Sequence, residues 1–171
     1  MEAITVAISD AIQAHALLAP PIVFILAFGE SLVFVSLLLP ATVLLVGASG
    51  LINAAGLGFW PIWLAAAAGA VLGDWVSYWL GLHYEEAIAG MWPLSRHPDL
   101  LPRGHRFFEK WGVAGVFLGR FFGPLRCIVP LVAGVCGMPW LAFQAANIAS
   151  AMIWATLVLA PGHLAITWFI F

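Results

Sequence analysis

Charge is what this sequence has least of. Only 8% of its 171 residues are Asp, Glu, Lys or Arg, while 64% are hydrophobic. A soluble domain carries roughly 25% charged residues, so this chain has no means of covering a water-facing surface. The solvent it suits is the bilayer, where apolar side chains need no polar coat. Net charge is only −2. No basic patch of nucleic-acid size occurs, so nucleic acid is excluded as a partner. Cysteine is scarce too: Cys127 and Cys136 lie in apolar sequence and read as small buried hydrophobes. No histidine or cysteine stands at a ligand spacing such as H-E-x-x-H or C-x-x-C, so neither a metal nor another cofactor is expected. The N-terminus has Glu2 and Asp10 but no Lys or Arg. It lacks the basic n-region of a cleaved signal peptide, so internal segments are expected to direct insertion.

What is present divides into segments. Residues 1–18 place Ile4, Ile8, Ile12 and Ala16 at helical spacing, which predicts an amphipathic helix in the interface. Pro20 and Pro21 end it. From Pro20 to Gly73 the only charge is Glu30. Pro40 splits that apolar stretch into arms near 22–39 and 41–55, and the second is short for a span of ~20 residues. A hairpin over 20–56 that dips into the membrane is expected. Residues 61–82 predict a transmembrane helix with Asp74 in its second half.

Residues 83–110 hold four of the six basic residues, Arg96, Arg103, Arg106 and Lys110. The positive-inside rule predicts a cytoplasmic loop there, with a surface helix over 103–110. Residues 111–137 are apolar apart from Arg120 and Arg126, and are interrupted at Gly123, Pro124 and Pro130; a second hairpin is expected. Residues 139–160 predict another transmembrane helix. The last piece, 161–171, is too short to cross alone and is expected to pack as a cap. Glu30 precedes Pro40 by ten residues and Arg120 precedes Pro130 by ten. Broken apolar segments at corresponding places in two halves point to an inverted-repeat transporter. The expected fold is a single all-α integral membrane domain with two opposed re-entrant hairpins plus transmembrane helices.

Glu30, Asp74, Arg120 and Arg126 carry the chemistry. A charge at the bilayer centre costs ~2.5–3.5 kcal/mol, so four of them must pair, meet water or bind something. The plain alternative is a purely structural set of salt bridges. Asp74, with Tyr78 and a loop after it, is the one of the four that could sit near the headgroups. On an unbroken helix, Arg120 and Arg126 would be rotated ~240° apart. The Gly123–Pro124 break between them can turn both toward one cavity. Two planar guanidinium forks suit a phosphate, which makes a phosphate-bearing lipid the expected ligand. Glu30 is expected to face the same cavity and to couple or gate the cycle by exchanging a proton. Gln144 and Asn147 lie three apart, on one helix face. They read as an interhelical hydrogen bond or as lining for the cavity.

The run Gly119-Arg120-Phe121-Phe122-Gly123-Pro124-Leu125-Arg126, continuing through Pro130 to Ala133-Gly134, closely resembles the arginine signature of DedA-family membrane proteins. Glu30 ahead of Pro40, and the run Gly73-Asp74-Trp75 with Tyr78 and Gly81, are also similar to that family. The resemblance extends over about 20–160. It implies two facing re-entrant hairpins, a bacterial inner-membrane location and lipid translocation. The substrate would be undecaprenyl phosphate or a phospholipid, in some members with proton coupling. Carried onto this chain, Glu30, Arg120 and Arg126 become the functional residues. Many relatives have an acidic residue just after the first re-entrant proline; here Ala41 and Thr42 follow Pro40, so the resemblance supplies no second carboxylate there, and Asp74 is the candidate to join Glu30 in proton coupling or gating. A homodimer is a further expectation.

Other classes compete. Gly47-Ala48-Ser49-Gly50 matches the G-x-S-G of intramembrane serine proteases, with His163 as a partner; small residues that let helices pack explain it equally. A lipid phosphatase would need a His or Asp nucleophile beside the arginines, yet His97 and His105 lie in the hydrophilic segment. A proton-coupled antiporter using Glu30 and a non-transporting assembly factor complete the set. The expectation is a lipid transporter and not an enzyme.

Overall fold

The computed structural model describes residues 18–32, 45, 58–84, 100–122 and 125–170. Among them every regular element is helical: α1 (Ala19–Ser31), α2 (Phe59–His83), α3 (Leu100–Gly119), α4 (Leu125–Val135) and α5 (Trp140–Ile170). The interfacial helix expected over 1–18, most of the first hairpin with Pro40 and Ser49, and the break at Gly123–Pro124 lie outside the described residues.

Among the described residues, two helices are long and apolar enough to cross a bilayer, Phe59–His83 and the Trp140–Pro161 part of α5. α2 also carries the marks of both interfaces. Phe59, Trp60 and Trp63 cluster edge-to-face at its start, and Trp79, His83 and Tyr84 cluster at its end. Trp60 and Trp79 are nineteen positions apart, which at 1.5 Å per residue is ~29 Å. That matches a hydrocarbon core of ~30 Å bounded by aromatic belts.

The side chains are arranged inside out relative to a soluble protein. Leu64, Trp75, Trp79 and Leu82 of α2 and Ile148, Met152 and Leu157 of α5 are exposed. Buried on α2 are Ala66, Gly69, Ala70, Gly73, Ser77 and Gly81. The spacing Gly69, Gly73, Ser77, Gly81 keeps one small residue per turn on a single face. Small residues let helix backbones approach where water supplies no driving force. A Cβ on Gly69 would collide with the Phe24 carbonyl oxygen of α1, and one on Gly73 would lie 2.6 Å from the Phe28 carbonyl. Further along, a Cβ on Gly81 would collide with the Leu131 carbonyl of α4, and one on Gly134 with the Tyr78 carbonyl of α2. So α2 is the common support of α1 and α4. Its contact with α5 includes a hydrogen bond from Trp63 Nε1 to Thr156 Oγ1 at 2.9 Å.

Three boundaries differ from expectation. Residues 100–110 run on into the apolar segment as one element, α3, with the break at Gly112 (φ 44°, ψ −121°), a conformation open to glycine because it lacks Cβ. Pro130, expected at a break, lies inside α4; it is the sixth residue there, so it removes one bond, to the Arg126 carbonyl, and the rest of the helix continues. Pro161 lies inside α5, which extends to Ile170, so 161–170 prolongs the spanning helix where a separate cap was expected.

Candidate functional site

The four charges meet. Arg120, just beyond the end of α3, reaches Asp74 on α2 with Nη2 2.5 Å from Oδ2. Arg126, the second residue of α4, reaches Glu30 on α1 with Nη1 2.5 Å from Oε1. All four are buried. Asp74 stands five residues before Trp79, ~7.5 Å along the helix axis, inside the stretch of α2 bounded by the two aromatic clusters. Four unpaired charges at that depth would cost on the order of 10 kcal/mol; pairing each guanidinium with a carboxylate removes the uncompensated charge.

Local sequence explains how each partner arrives. Glu30 and Ser31 occupy the last turn of α1, which the Gly73 contact with Phe28 and Ser31 presses onto α2. Ser77 Oγ hydrogen-bonds the Ser31 carbonyl at 3.3 Å and the Gly73 carbonyl at 3.1 Å, joining the two helices beside the charges. At the other side, Phe121 and Phe122 amides donate to Leu118 and Gly119 carbonyls, so α3 tightens as it ends and Arg120 turns inward. Gly81 and Gly134 hold α4 against α2, and Tyr78 fixes the turn after α4. Its hydroxyl donates to the Met138 carbonyl at 2.6 Å, and its ring stacks on Phe143 with centroids 4.3 Å apart.

α5 closes the site with one face. Asn147, Ser150 and Trp154, at i, i+3 and i+7, are all buried. Arg120 Nη1 donates to the Asn147 carbonyl at 2.9 Å, to Asn147 Oδ1 at 3.1 Å and to Ser150 Oγ at 2.9 Å. Arg120 Nη2 also lies 3.4 Å from the Ala70 carbonyl. Arg126 rests over the Trp154 ring at 4.3 Å and contacts Ser31 Oγ at 3.5 Å. Asn147 bonds both across and along helices: Nδ2 donates to the Val71 carbonyl at 3.0 Å and to Gln144 Oε1 at 3.2 Å.

The structure thus brings together Glu30, Asp74, Arg120, Arg126, Asn147 and, through Asn147, Gln144. Each arginine is engaged by its own carboxylate. Pro40, Ser49, Gly123 and Pro124 lie outside the described residues, and of His163 only the helical backbone is described. Sequence reasoning missed Ser31, Ser77, Ser150 and Trp154. The available signal was position: Ser31 adjoins Glu30, Ser77 is one turn from Asp74, and Ser150 and Trp154 continue the Asn147 face.

Long apolar helices with exposed large side chains, seated on small residues around paired intramembrane charges, define a helical membrane protein with a buried polar centre. Residues 39–164 match the VTT domain, and the chain belongs to that family, the DedA membrane proteins. It is 37% identical to the inner membrane protein YabI of Escherichia coli over 143 residues, covering 84% of this chain and 56% of YabI. It is 34% identical to the uncharacterized membrane protein Rv2637 of Mycobacterium tuberculosis over 144 residues, 80% of this chain and 66% of that one. To the inner membrane protein YqjA of E. coli it is 29% identical over 147 residues, 84% and 66% of the respective chains. The chain therefore spans little more than half the length of YabI. No solved structure matches it.

Proposed function

We propose that this chain translocates a phosphate-headgroup lipid, undecaprenyl phosphate or a phospholipid, across a bacterial inner membrane, and that it is a transporter rather than an enzyme. The observation that carries this reading is the double ion pair: two guanidinium groups kept at membrane depth, each held by a carboxylate. A structural scaffold has a cheaper solution, because buried pairs are often replaceable by apolar residues at little cost. Charges retained in a span mark a substrate or ion pathway. Arg120 and Arg126 supply positive potential for a phosphate; Glu30 and Asp74 hold that charge when no lipid is bound. A phospholipid phosphodiester brings one negative charge, and the monoester of undecaprenyl phosphate between one and two. If Glu30 takes up a proton as a singly charged phosphate enters, the site's net charge is unchanged, which couples headgroup entry to a proton.

In this reading the breaks at Pro40 and at Gly123–Pro124 belong to two opposed re-entrant hairpins, which open the centre to each leaflet in turn. Residues 83–110 face the cytoplasm, and two chains associate as a dimer. The inner-membrane placement agrees with the names of YabI and YqjA.

The test is headgroup access in proteoliposomes. Labelled undecaprenyl phosphate and labelled phosphatidylethanolamine are compared for wild type and Arg126→Ala. Movement of one lipid, lost in the variant, is expected. Movement of neither above empty vesicles, with folded wild-type protein, overturns the reading.

A further inference from the structure

The first part of α3, residues 100–111, concentrates charge in a chain that has little, and the buried centre uses none of it. It holds Arg103, Arg106 and Lys110 against a single acid, Glu109. The break at Gly112 separates it from the apolar part that leads to Arg120. Contacts with α4 fix its height. A Cβ on Gly104 would meet the Val132 and Cys136 side chains, while one on Gly81 would meet the Leu131 and Val135 backbone, one position earlier along α4. Gly104 is therefore level with Gly81, which lies between Trp79 and His83 in the aromatic cluster ending α2. That level is the headgroup boundary.

One side of this helix faces the protein. Phe108 packs on the buried cluster around Tyr78 and Phe143. With His105, Glu109 and Gly112 it also lines a pocket of about 340 Å³ against the turn between α4 and α5. At ~100° per residue, the opposite side takes Arg106, Phe107, Lys110 and Trp111, all four exposed. Arg106 and Lys110 are four apart, as are Phe107 and Trp111, so each pair forms one edge of that side. The aromatic edge is turned to the hydrocarbon: a Cβ on Gly115, in the part of α3 leading to Arg120, would lie 2.7 Å from the Phe107 ring and 3.3 Å from Trp111 Cβ. The basic edge is left at the phosphates. Lys110 Nζ lies 5.8 Å from the centre of the Trp111 ring, which joins the two edges. Among the described residues, neither Arg106 nor Lys110 is in an ion pair.

Rings toward acyl chains with cations at phosphate level suit a helix lying in the interface. A zwitterionic headgroup offers two unpaired cations no net charge, whereas an anionic one does.

We propose that Arg106 and Lys110, flanked by Phe107 and Trp111, hold the headgroup of an anionic phospholipid that is bound and not transported, in the leaflet at the His83 end of α2. The site is separate from the four buried charges and does not rest on the transport reading. A headgroup there fastens the helix ahead of Gly112, so the arm that carries Arg120 starts from a fixed point at the surface.

The test needs no transport. The full chain in detergent is titrated with short-chain phosphatidylglycerol or short-chain phosphatidylcholine, and bound lipid is counted by native mass spectrometry. Wild type is expected to bind phosphatidylglycerol about tenfold more tightly, and to lose most of that preference at high ionic strength, because exposed charges are screened. Each basic residue near an anionic surface contributes roughly fivefold. Lys110→Gln is therefore expected to weaken phosphatidylglycerol binding about fivefold and Arg106→Gln/Lys110→Gln about twenty-five-fold, with phosphatidylcholine unchanged. Both side chains are exposed, so the lipid-free melting temperatures of the variants should stay within about 2 °C of wild type. Equal binding of the two lipids by wild type overturns the proposal. So does wild-type affinity for phosphatidylglycerol in the double variant, or a preference that salt does not weaken, which would put the headgroup at the buried arginines. If wild type moves no lipid in proteoliposomes, the transport reading falls and this binding still stands.

Discussion

The two halves of α2 do the same job by different means. Its first fifteen residues seat α1 through bare backbone, with Gly69 and Gly73 against the Phe24 and Phe28 carbonyls. Its second half seats α4 through Gly81 and Gly134, and adds a hydrogen bond and a ring stack from Tyr78. Asp74 and Ser77 lie where one half hands over to the other. There α1 gives way to α4, and Arg120 reaches Asp74 while Arg126 reaches Glu30. The polar centre occupies the one stretch of α2 where close packing changes partner.

That contrast can be broken at several points, here from the largest effect to the smallest. Arg120→Gln alone leaves Asp74 buried without its counter-charge and should cost ~3–5 kcal/mol, read as a large drop in thermal unfolding temperature in detergent. Restoration by Asp74→Asn would confirm that the loss is electrostatic; no restoration would assign it to the hydrogen-bond geometry. Gly81→Ala or Gly134→Ala drives a methyl into a facing helix backbone and should cost ~3 kcal/mol, the upper end for overpacking. Gly104→Ala is the control: its Cβ meets side chains and no backbone, Val132 Cγ1 at 3.0 Å and Cys136 Sγ at 3.5 Å, so its melting point should move far less. Tyr78→Phe removes the hydroxyl that reaches Met138 and should cost ~1 kcal/mol, with the ring stack intact. It should weaken the second half of α2 selectively, visible as faster hydrogen exchange in α4 than in α1. Trp63→Phe loses an exposed bond to Thr156 and should shift stability by only ~0.5 kcal/mol; a larger shift would mean that the α2–α5 contact carries more of the fold.

Much of this was legible in the sequence because lipid imposes simple rules. Rare charges in apolar runs flagged Glu30, Asp74, Arg120 and Arg126, and length with hydropathy located the helices over 61–82 and 139–160. The pairing was not legible. Asp74 meets Arg120 across 46 positions and Glu30 meets Arg126 across 96, and no local periodicity encodes such distances. Prolines misled in one direction. Pro130 read as a break, and 161–171 as a separate cap, but Pro130 and Pro161 each lie inside a helix and remove a single hydrogen bond from it. Gly112 misled in the other, since a lone glycine in a mixed segment does not announce a positive φ. Trp154 went unnoticed because in a chain with nine tryptophans another one reads as an interface anchor.

The aromatic clusters at the two ends of α2 act as a ruler. Trp60 and Trp79 are exposed, about 29 Å apart along the axis, and each is most stable at a headgroup boundary. A membrane of that thickness satisfies both at once. A thicker one must thin locally, and a thinner one makes α2 lean, at fractions of a kcal/mol per Å. Because α1 and α4 ride on α2, a lean would carry the buried charges with it and change how far each stands from the two leaflets. The protein therefore has a preferred bilayer thickness written into one helix, and its thermal stability should peak in lipids whose chains match it.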